Sequence, residues 1–403
     1  MTSRVDFTSQ DYFRNPGASL ERLRSLGPVV EVRFPIIGKV WATTTQAMAD
    51  RVLKDTATFA MRRDDGEVAG MRWWMPGIIK TFATSMVSMD EPDHRRLRDI
   101  VDEAFRRRAV LDMEPQIQAT AAELASELFD DGSPADLIER FARTLPLSVI
   151  CELLGLPRAD RPKFSAMAAR FTRLTGALGF LSMIPNALAM RRYIEVHLQT
   201  VRRDGGEGLI AEIVRVERQG GRISGDEIVS MVFLLLFAGH ETTTHLISGS
   251  VHELLKNPGL RDWLEADWSR LDLAVEEFLR FLTPVQFTKP RYVRRDVDLG
   301  GVTLRKGERV MAMLAAANMD PSANAHPDRL DLARKPNRHV AFGTGIHFCL
   351  GHQLARIEGR CALQALLQRW PRLALAVPQE KIVWRKRPGL NAIARLPVVA
   401  GTG

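Results

Sequence analysis

Apolar and polar positions alternate in two short runs near the N-terminus, Val29 to Phe34 and Val40 to Thr44, on either side of Gly38. A period of two around a glycine predicts a β-hairpin. From about residue 92 to 282 the apolar positions recur every three or four residues, which predicts an almost wholly helical segment. Turn residues break it at Asp131-Gly132-Ser133-Pro134, Leu156-Pro157, Asp204-Gly205-Gly206 and Gln219-Gly220-Gly221. The longest apolar helix runs from about Ile228 to Leu254. After residue 283 strand patterns return at Arg291 to Val293, Val297 to Leu304 and Arg309 to Met313, with turns at Leu299-Gly300-Gly301 and Lys306-Gly307. A last helix is expected over Leu350 to Gln368. The fold class that follows is mainly α with small peripheral β-sheets. No linker, repeat or low-complexity stretch divides the 403 residues. One domain over 1–403 is therefore expected, with a β-rich edge at about 25–60 and a helical bulk at about 92–282.

An apolar content of 45% is enough to bury a large core. Three cysteines exclude a disulfide framework and fit a reducing compartment. The start, Met-Thr-Ser-Arg-Val-Asp-Phe, lacks the basic-then-apolar order of a signal peptide. Leu174 to Met190 is uncharged, but it holds Pro185, Asn186 and two glycines and falls short of a span of roughly 18 apolar residues. A surface helix pair or loop is expected there, and a cytoplasmic protein without a membrane span overall. The net charge of +8 raises the question of nucleic acid. The cations are spread along helical patterns without a binding motif, so no nucleic-acid partner is expected. Two clusters stand out: Arg95-Arg96-Leu97-Arg98 with Arg106-Arg107-Arg108, and Arg356 with Arg360.

The densest chemistry lies in Phe342-Gly343-Thr344-Gly345-Ile346-His347-Phe348-Cys349-Leu350-Gly351. Thiolate is a strong ligand for haem iron. Its loop must press against a flat macrocycle, and Gly343, Gly345 and Gly351 remove obstruction and permit positive φ. The helix that follows points its N-terminal amides at the sulfur, which favours the thiolate. A buried structural cysteine beside a glycine-rich turn is the plainer alternative. Cys151, in Leu-Ser-Val-Ile-Cys-Glu-Leu-Leu, and Cys361, on the last helix, have no such context and are expected in the core.

The decapeptide resembles the haem-binding loop of the cytochrome P-450 family, Phe-x-x-Gly-x-His/Arg-x-Cys-x-Gly, with every fixed position present. The resemblance implies the cytochrome P-450 fold, haem b as cofactor, and Cys349 as the iron ligand. It places the meander and haem loop at about 314–351, with Asn318-Met319-Asp320-Pro321 and His326-Pro327-Asp328 in the meander. It extends over essentially the whole chain, since the family's motifs appear in order.

In the longest apolar helix, Phe237-Ala238-Gly239-His240-Glu241-Thr242-Thr243 sets an acid, hydroxyls and a glycine into a fatty segment. A mid-helix glycine costs up to about 1 kcal/mol, and a threonine can bond back to a carbonyl and bend the helix. Ala238-Gly239-His240-Glu241-Thr242 is similar to the family's distal-helix motif, Ala/Gly-Gly-x-Asp/Glu-Thr. The resemblance implies room for dioxygen there and a catalytic pair, with Glu241 relaying protons from solvent and Thr242 hydrogen-bonding the iron-bound peroxide. His240, at the variable position, is expected to face away. Glu277-Phe278-Leu279-Arg280 matches the family's Glu-x-x-Arg, which implies a structural lock on the meander.

Haem propionates need cationic donors. His94 and Arg98 share a helix face and match the family's His-x-x-x-Arg; Arg291 matches its strand arginine, and His347 the position two before the cysteine. Substrate-facing segments implied by the resemblance are Met71 to Phe82 (Trp73, Trp74, Met75, Ile78, Ile79), Phe171 to Met190, Leu235 to Thr242, Val285 to Thr288 and Leu390 to Ile393. They are nearly all apolar, which suggests an apolar substrate, with Arg173 as a candidate carboxylate anchor.

The function implied is a haem-thiolate monooxygenase. It would hydroxylate an apolar small molecule with O2 and two electrons from a separate ferredoxin or flavodoxin with its reductase. The chain has neither a Rossmann glycine fingerprint nor a four-cysteine cluster spacing, so it cannot reduce itself. A basic face at the two arginine clusters would attract an acidic redox protein. A peroxide-driven peroxygenase, an isomerase and a non-catalytic haem sensor are the alternatives; the Glu241-Thr242 pair speaks against each.

Overall fold

In the computed structural model, which describes residues 5–34, 37–66, 68, 85–102, 107–160, 162–164, 166–167 and 176–401, the N-terminal alternation forms the predicted hairpin. Val29–Phe34 (β1) and Gly38–Thr43 (β2) pair antiparallel, Val29 opposite Thr43 and Val32 opposite Val40. Phe59–Ala60 (β3), Arg291–Val293 (β5) and Arg309–Ala312 (β8) extend it to a five-stranded sheet in the order β1-β2-β8-β5-β3. The β2–β8 pair is parallel, Trp41 beside Val310, so residues far apart in sequence meet here. Val297–Leu299 (β6) and Val302–Leu304 (β7) form a separate hairpin. Its turn puts Gly300 at φ 63° and Gly301 at φ 82°, the left-handed pair that a tight hairpin turn requires. Ala135–Asp136 (β4), Ala374–Leu375 (β9) and Pro397–Val399 (β10) make a third sheet near the C-terminus.

The helices that build the site are Gln46–Lys54 (α1), Asp93–Asp102 (α2), Glu114–Ser126 (α3), Thr144–Leu154 (α4), Gly176–Asp204 (α5), Gly225–Lys256 (α6), Leu271–Leu282 (α7) and His352–Arg369 (α8). Helix α6 is the axis. It packs against α4, α5, α7 and α8 and is buried on nearly every side, which is why its sequence is apolar around most of its circumference. A capping box starts it: the Glu227 amide donates to Ser224 Oγ, and the Ser224 amide donates back to the Glu227 carboxylate. Helix α8 packs against α3, α6 and α7, and its Gly359 faces Leu246 and Val275. It begins at His352 rather than Leu350 because Cys349 to Gly351 belong to the loop. Cys151 and Cys361 are buried in α4 and α8, as expected.

Leu174 to Met190 differs from expectation. From Gly176 onward it is the start of α5, one helix of 29 residues that runs through Pro185. Proline removes one backbone bond, but the stripe Ala187, Met190, Ile194, Leu198 and Val201 is buried and continues the helical period past it. Packing of that stripe outweighs the local break. Among the described residues no helix is long and apolar enough to cross a membrane.

Candidate functional site

The thiol loop is held in shape by its own backbone. The Gly343 amide donates to Val340 O, the Phe348 amide to Gly345 O and the Cys349 amide to Phe342 O. Gly345 has φ 74°, and a Cβ there would lie 2.3 Å from the Leu53 carbonyl, so this glycine lets the loop press on the end of α1. Gly343 also has positive φ, at 67°. Gly351 does not: its φ of −86° is ordinary, and its use lies elsewhere. The Gly351 amide is hydrogen-bonded to the Cys349 sulfur. Burial nonetheless pushes the thiol up, and this amide, Arg98 and Arg356 only partly offset it. The helix terminus alone therefore does not create the thiolate; a metal cation on the sulfur would.

Around this loop the structure gathers all four expected propionate donors, two arginines and two histidines. His94 on α2 is buried, and its ring meets the His347 ring edge-on at 4.5 Å between centroids. Arg98, one turn on, donates to Phe348 O at 2.8 Å, next to the cysteine, and to Asp102 at 2.8 Å. Arg291 on β5 is 3% exposed and reaches the carbonyls of Val52 and Leu53 at the end of α1. Burial pulls its guanidinium down to about 10. Burial, then the charges of Arg291, His94, Lys289 and Arg98, bring the His347 imidazole down to about 3. Among the described residues Arg291 Nε and His347 Nε2 have no hydrogen-bond partner. Such buried orphans each cost roughly 1–3 kcal/mol. A dianionic, flat cofactor whose acid groups meet these donors and whose metal meets Cys349 fits the set.

The second half of the site is on α6. Thr242 Oγ donates to Ala238 O at 2.8 Å, and Thr243 and Thr244 make the same bond one turn back. Gly239 serves packing: a Cβ there would come within 3.1 Å of Ile150 on α4. His240 is buried and turns its Nδ1 back to Leu236 O at 2.5 Å. Glu241 is 14% exposed and accepts from Arg387, a residue that no pattern in the sequence singles out. His245 Nε2 lies 4.0 Å from the same carboxylate. Burial, then the charges of Arg385 and Arg387, hold the His245 imidazole well below its ordinary value.

Behind the loop an ionic clasp fixes the meander, as the Glu-x-x-Arg reading implies. Arg280 and Glu277 are fully buried and joined by two bonds of 2.8 Å. Arg280 also donates to the carbonyls of Asn318, Pro327 and Arg329. Glu277 accepts in addition from the Asp331 amide, Arg334 and Asn337. Beside it, Glu276 accepts from Arg356 and His339; burial opposes its ionisation, but these bonds outweigh burial and bring it down to about 2. Arg356 also lies over the Phe342 ring at 4.6 Å.

Arg106 and the side chains of Arg107 and Arg108 lie outside the described residues, and the other arginines of the expected basic face are paired within the molecule. Arg95 pairs with Glu91, Arg96 with Glu227, Arg98 with Asp102, Arg356 with Glu276, and Arg360 with Glu114 and Asp272. Of the substrate-facing segments, Val285 bridges Leu390 and Phe287 bridges Met313, so these pieces share one wall. Met71 to Phe82 and Phe171 to Thr175, with Arg173, lie outside the described residues.

Residues 266–373, which carry the clasp, the loop and α8, match the family model for cytochrome P-450. The vitamin D(3) 25-hydroxylase of Pseudonocardia autotrophica is 38% identical over 99% of this chain and 97% of its own. The 6-deoxyerythronolide B hydroxylase of Saccharopolyspora erythraea is 34% identical over 99% of both. The crystal structure of the myxobacterial cytochrome P-450 CYP267B1 with myristic acid superposes with a TM-score of 0.91 at 35% identity, covering 100% of both chains. The chain belongs to the cytochrome P-450 family. It is a haem-thiolate monooxygenase that acts on a small molecule with O2 and electrons from a redox partner.

Proposed function

We propose that Cys349 is the iron ligand, that His94, Arg98, Arg291 and His347 hold the haem propionates, and that Glu241 and Thr242 manage the protons. The observation that carries this is the convergence of two arginines and two histidines on the Cys349 loop, with Arg291 Nε and His347 Nε2 lacking partners among the described residues. Haem held by a thiolate supplies the activation of O2 for insertion of one oxygen atom into a carbon–hydrogen bond. The reaction consumes O2, two electrons and two protons, and releases one oxygen as water.

The protein's part is positioning and proton traffic. Glu241 is poised between Arg387 and the helix interior, so it can take a proton from the solvent side and pass it inward. Thr242 has a hydroxyl already donated to Ala238 O, which leaves its oxygen lone pairs turned outward as an acceptor. The clasp at Glu277 and Arg280 keeps the loop at one height beneath α6.

We further propose an apolar substrate, in line with the vitamin D(3) and 6-deoxyerythronolide B named for two relatives, and with the buried Leu235, Leu236, Phe287 and Ile393. The chain acts as one unit in the cytoplasm and is reduced by a ferredoxin or flavodoxin. The test is a spectral titration of the ferric protein against terpenoids, steroids, fatty acids and macrolides. A blue shift of the main haem band marks displacement of water from a thiolate-bound iron and names the substrate class. A Cys349→Ala protein with an unchanged haem spectrum and turnover would sink the assignment.

A further inference from the structure

Lys289 is a cation that the four expected donors do not include. It precedes Pro290, which holds it to extended backbone, so it leaves the chain on the same side as Arg291 two residues later. Its Nζ donates to Ser88 Oγ at 2.7 Å. Ser88 is fully buried and ends the turn that leads into α2 and His94. Lys289 and Arg291 both bear on the His347 imidazole.

Two properties of this side chain are at odds with an ordinary surface lysine. Protein surrounds it densely enough that burial brings its ammonium down to about 8. Yet the residue is exposed. Its charge falls on the same imidazole as those of Arg291 and His94, so Lys289 belongs to the group of donors gathered around His347. Among the described residues its hydrogen-bond partner is Ser88 alone, and no carboxylate pairs with it. An ammonium held inside a protein without a counter-ion is costly, and the cost is recovered when an anion arrives.

We propose that Lys289 is a carboxylate anchor inside the haem cavity, gripping either a haem propionate or an acid group on the substrate. The inference rests on the reading of Cys349 as the haem ligand. The chemistry is the same for both sources: a point charge on a flexible stem, with Ser88 fixing its direction. The sources differ in what removing the charge does. A cation at a propionate raises the reduction potential of the iron whatever the ligand, whereas a cation reserved for substrate changes affinity for acids only.

The test uses holoprotein with Lys289→Met and Lys289→Gln, and with Lys289→Arg as the charge-keeping control. Two quantities are read: the midpoint potential without ligand, and spectral dissociation constants for dodecanoic acid and 1-dodecanol. A lower potential in Lys289→Met or Lys289→Gln, restored in Lys289→Arg, assigns the propionate. An unchanged potential, with acid binding weakened at least tenfold and alcohol binding unaffected, assigns the substrate. An unchanged potential with an unchanged ratio of acid to alcohol affinity overturns the proposal while the thiolate spectrum stands. A wild-type protein with no thiolate-bound haem spectrum would overturn this proposal and the proposed function together.

Discussion

Arg387 donates to the carboxylate of Glu241 across 146 residues of sequence, tying the C-terminal region to the middle of the distal helix. The pair is partly shielded, with side-chain exposures of 33% and 14%. It gives Glu241, the proposed proton relay, a fixed resting place from which it would have to turn to deliver. A double-mutant cycle with Arg387→Gln and Glu241→Gln should return a coupling of about 1 kcal/mol in thermal unfolding. Glu241→Gln alone should slow turnover roughly 100-fold. A coupling of zero would mean the pair does not hold in solution.

Thr242→Ala should leave oxygen consumption largely intact while product falls and hydrogen peroxide rises. Thr242→Ser should keep product formation, because it keeps the hydroxyl. The measurement is peroxide released per NAD(P)H consumed. Equal ratios in wild type and Thr242→Ala would assign proton delivery to another group.

The Glu277 carboxylate faces two arginines in a dry environment, so removing it strands both. Glu277→Ala should cost roughly 3–5 kcal/mol and with it most haem incorporation. Glu123→Ala, an exposed residue on α3, should stay within about 0.5 kcal/mol of wild type. Urea unfolding with haem content as second readout decides. A Glu277→Ala protein with wild-type stability would show that the clasp is ornamental.

Glu358 on α8 is buried, and burial pushes its carboxyl up to about 8 against a hydrogen bond with Thr243. Folded, it stays protonated where the unfolded chain ionises near 4.5. Its contribution to stability is complete below that value and is lost as pH rises toward about 8, at up to about 1.4 kcal/mol per pH unit. Glu358→Gln has no proton to lose, so its stability relative to wild type should climb between about pH 5 and pH 8. Unfolding curves at both ends check this. A difference independent of pH would place a charged Glu358 in the folded protein.

Much of this was legible because periodicity and motif coincide. The loop around Cys349, the pair Glu241 and Thr242, and the strands at residues 291–312 each announce themselves within a short stretch of chain. What was not legible depends on contacts with no local signature. Arg387 lies in a Pro- and Gly-bearing segment with no period, and only folding brings it to Glu241. Arg334 and Asn337 join the clasp from an irregular stretch. The two-residue strands Phe59–Ala60 and Ala374–Leu375 are too short to show alternation. Pro185 misled because local rules weigh one missing bond above a buried stripe that continues past it. The sequence shows the helix whose Gly351 amide favours the Cys349 thiolate, but not the depth of burial that opposes it.

The clasp also orders events in time. Glu277 leaves the ribosome long before the Asp331 amide, Arg334 and Asn337, which lie 54, 57 and 60 residues further on. Until they arrive, one of the most buried charges in the molecule has only Arg280 to answer it, and Arg280 is itself waiting for carbonyls at residues 318, 327 and 329. Cys349 comes later still. On the proposed reading of Cys349, the seat for the haem is completed only after this stretch is in place, so cofactor capture would be a late step of biogenesis.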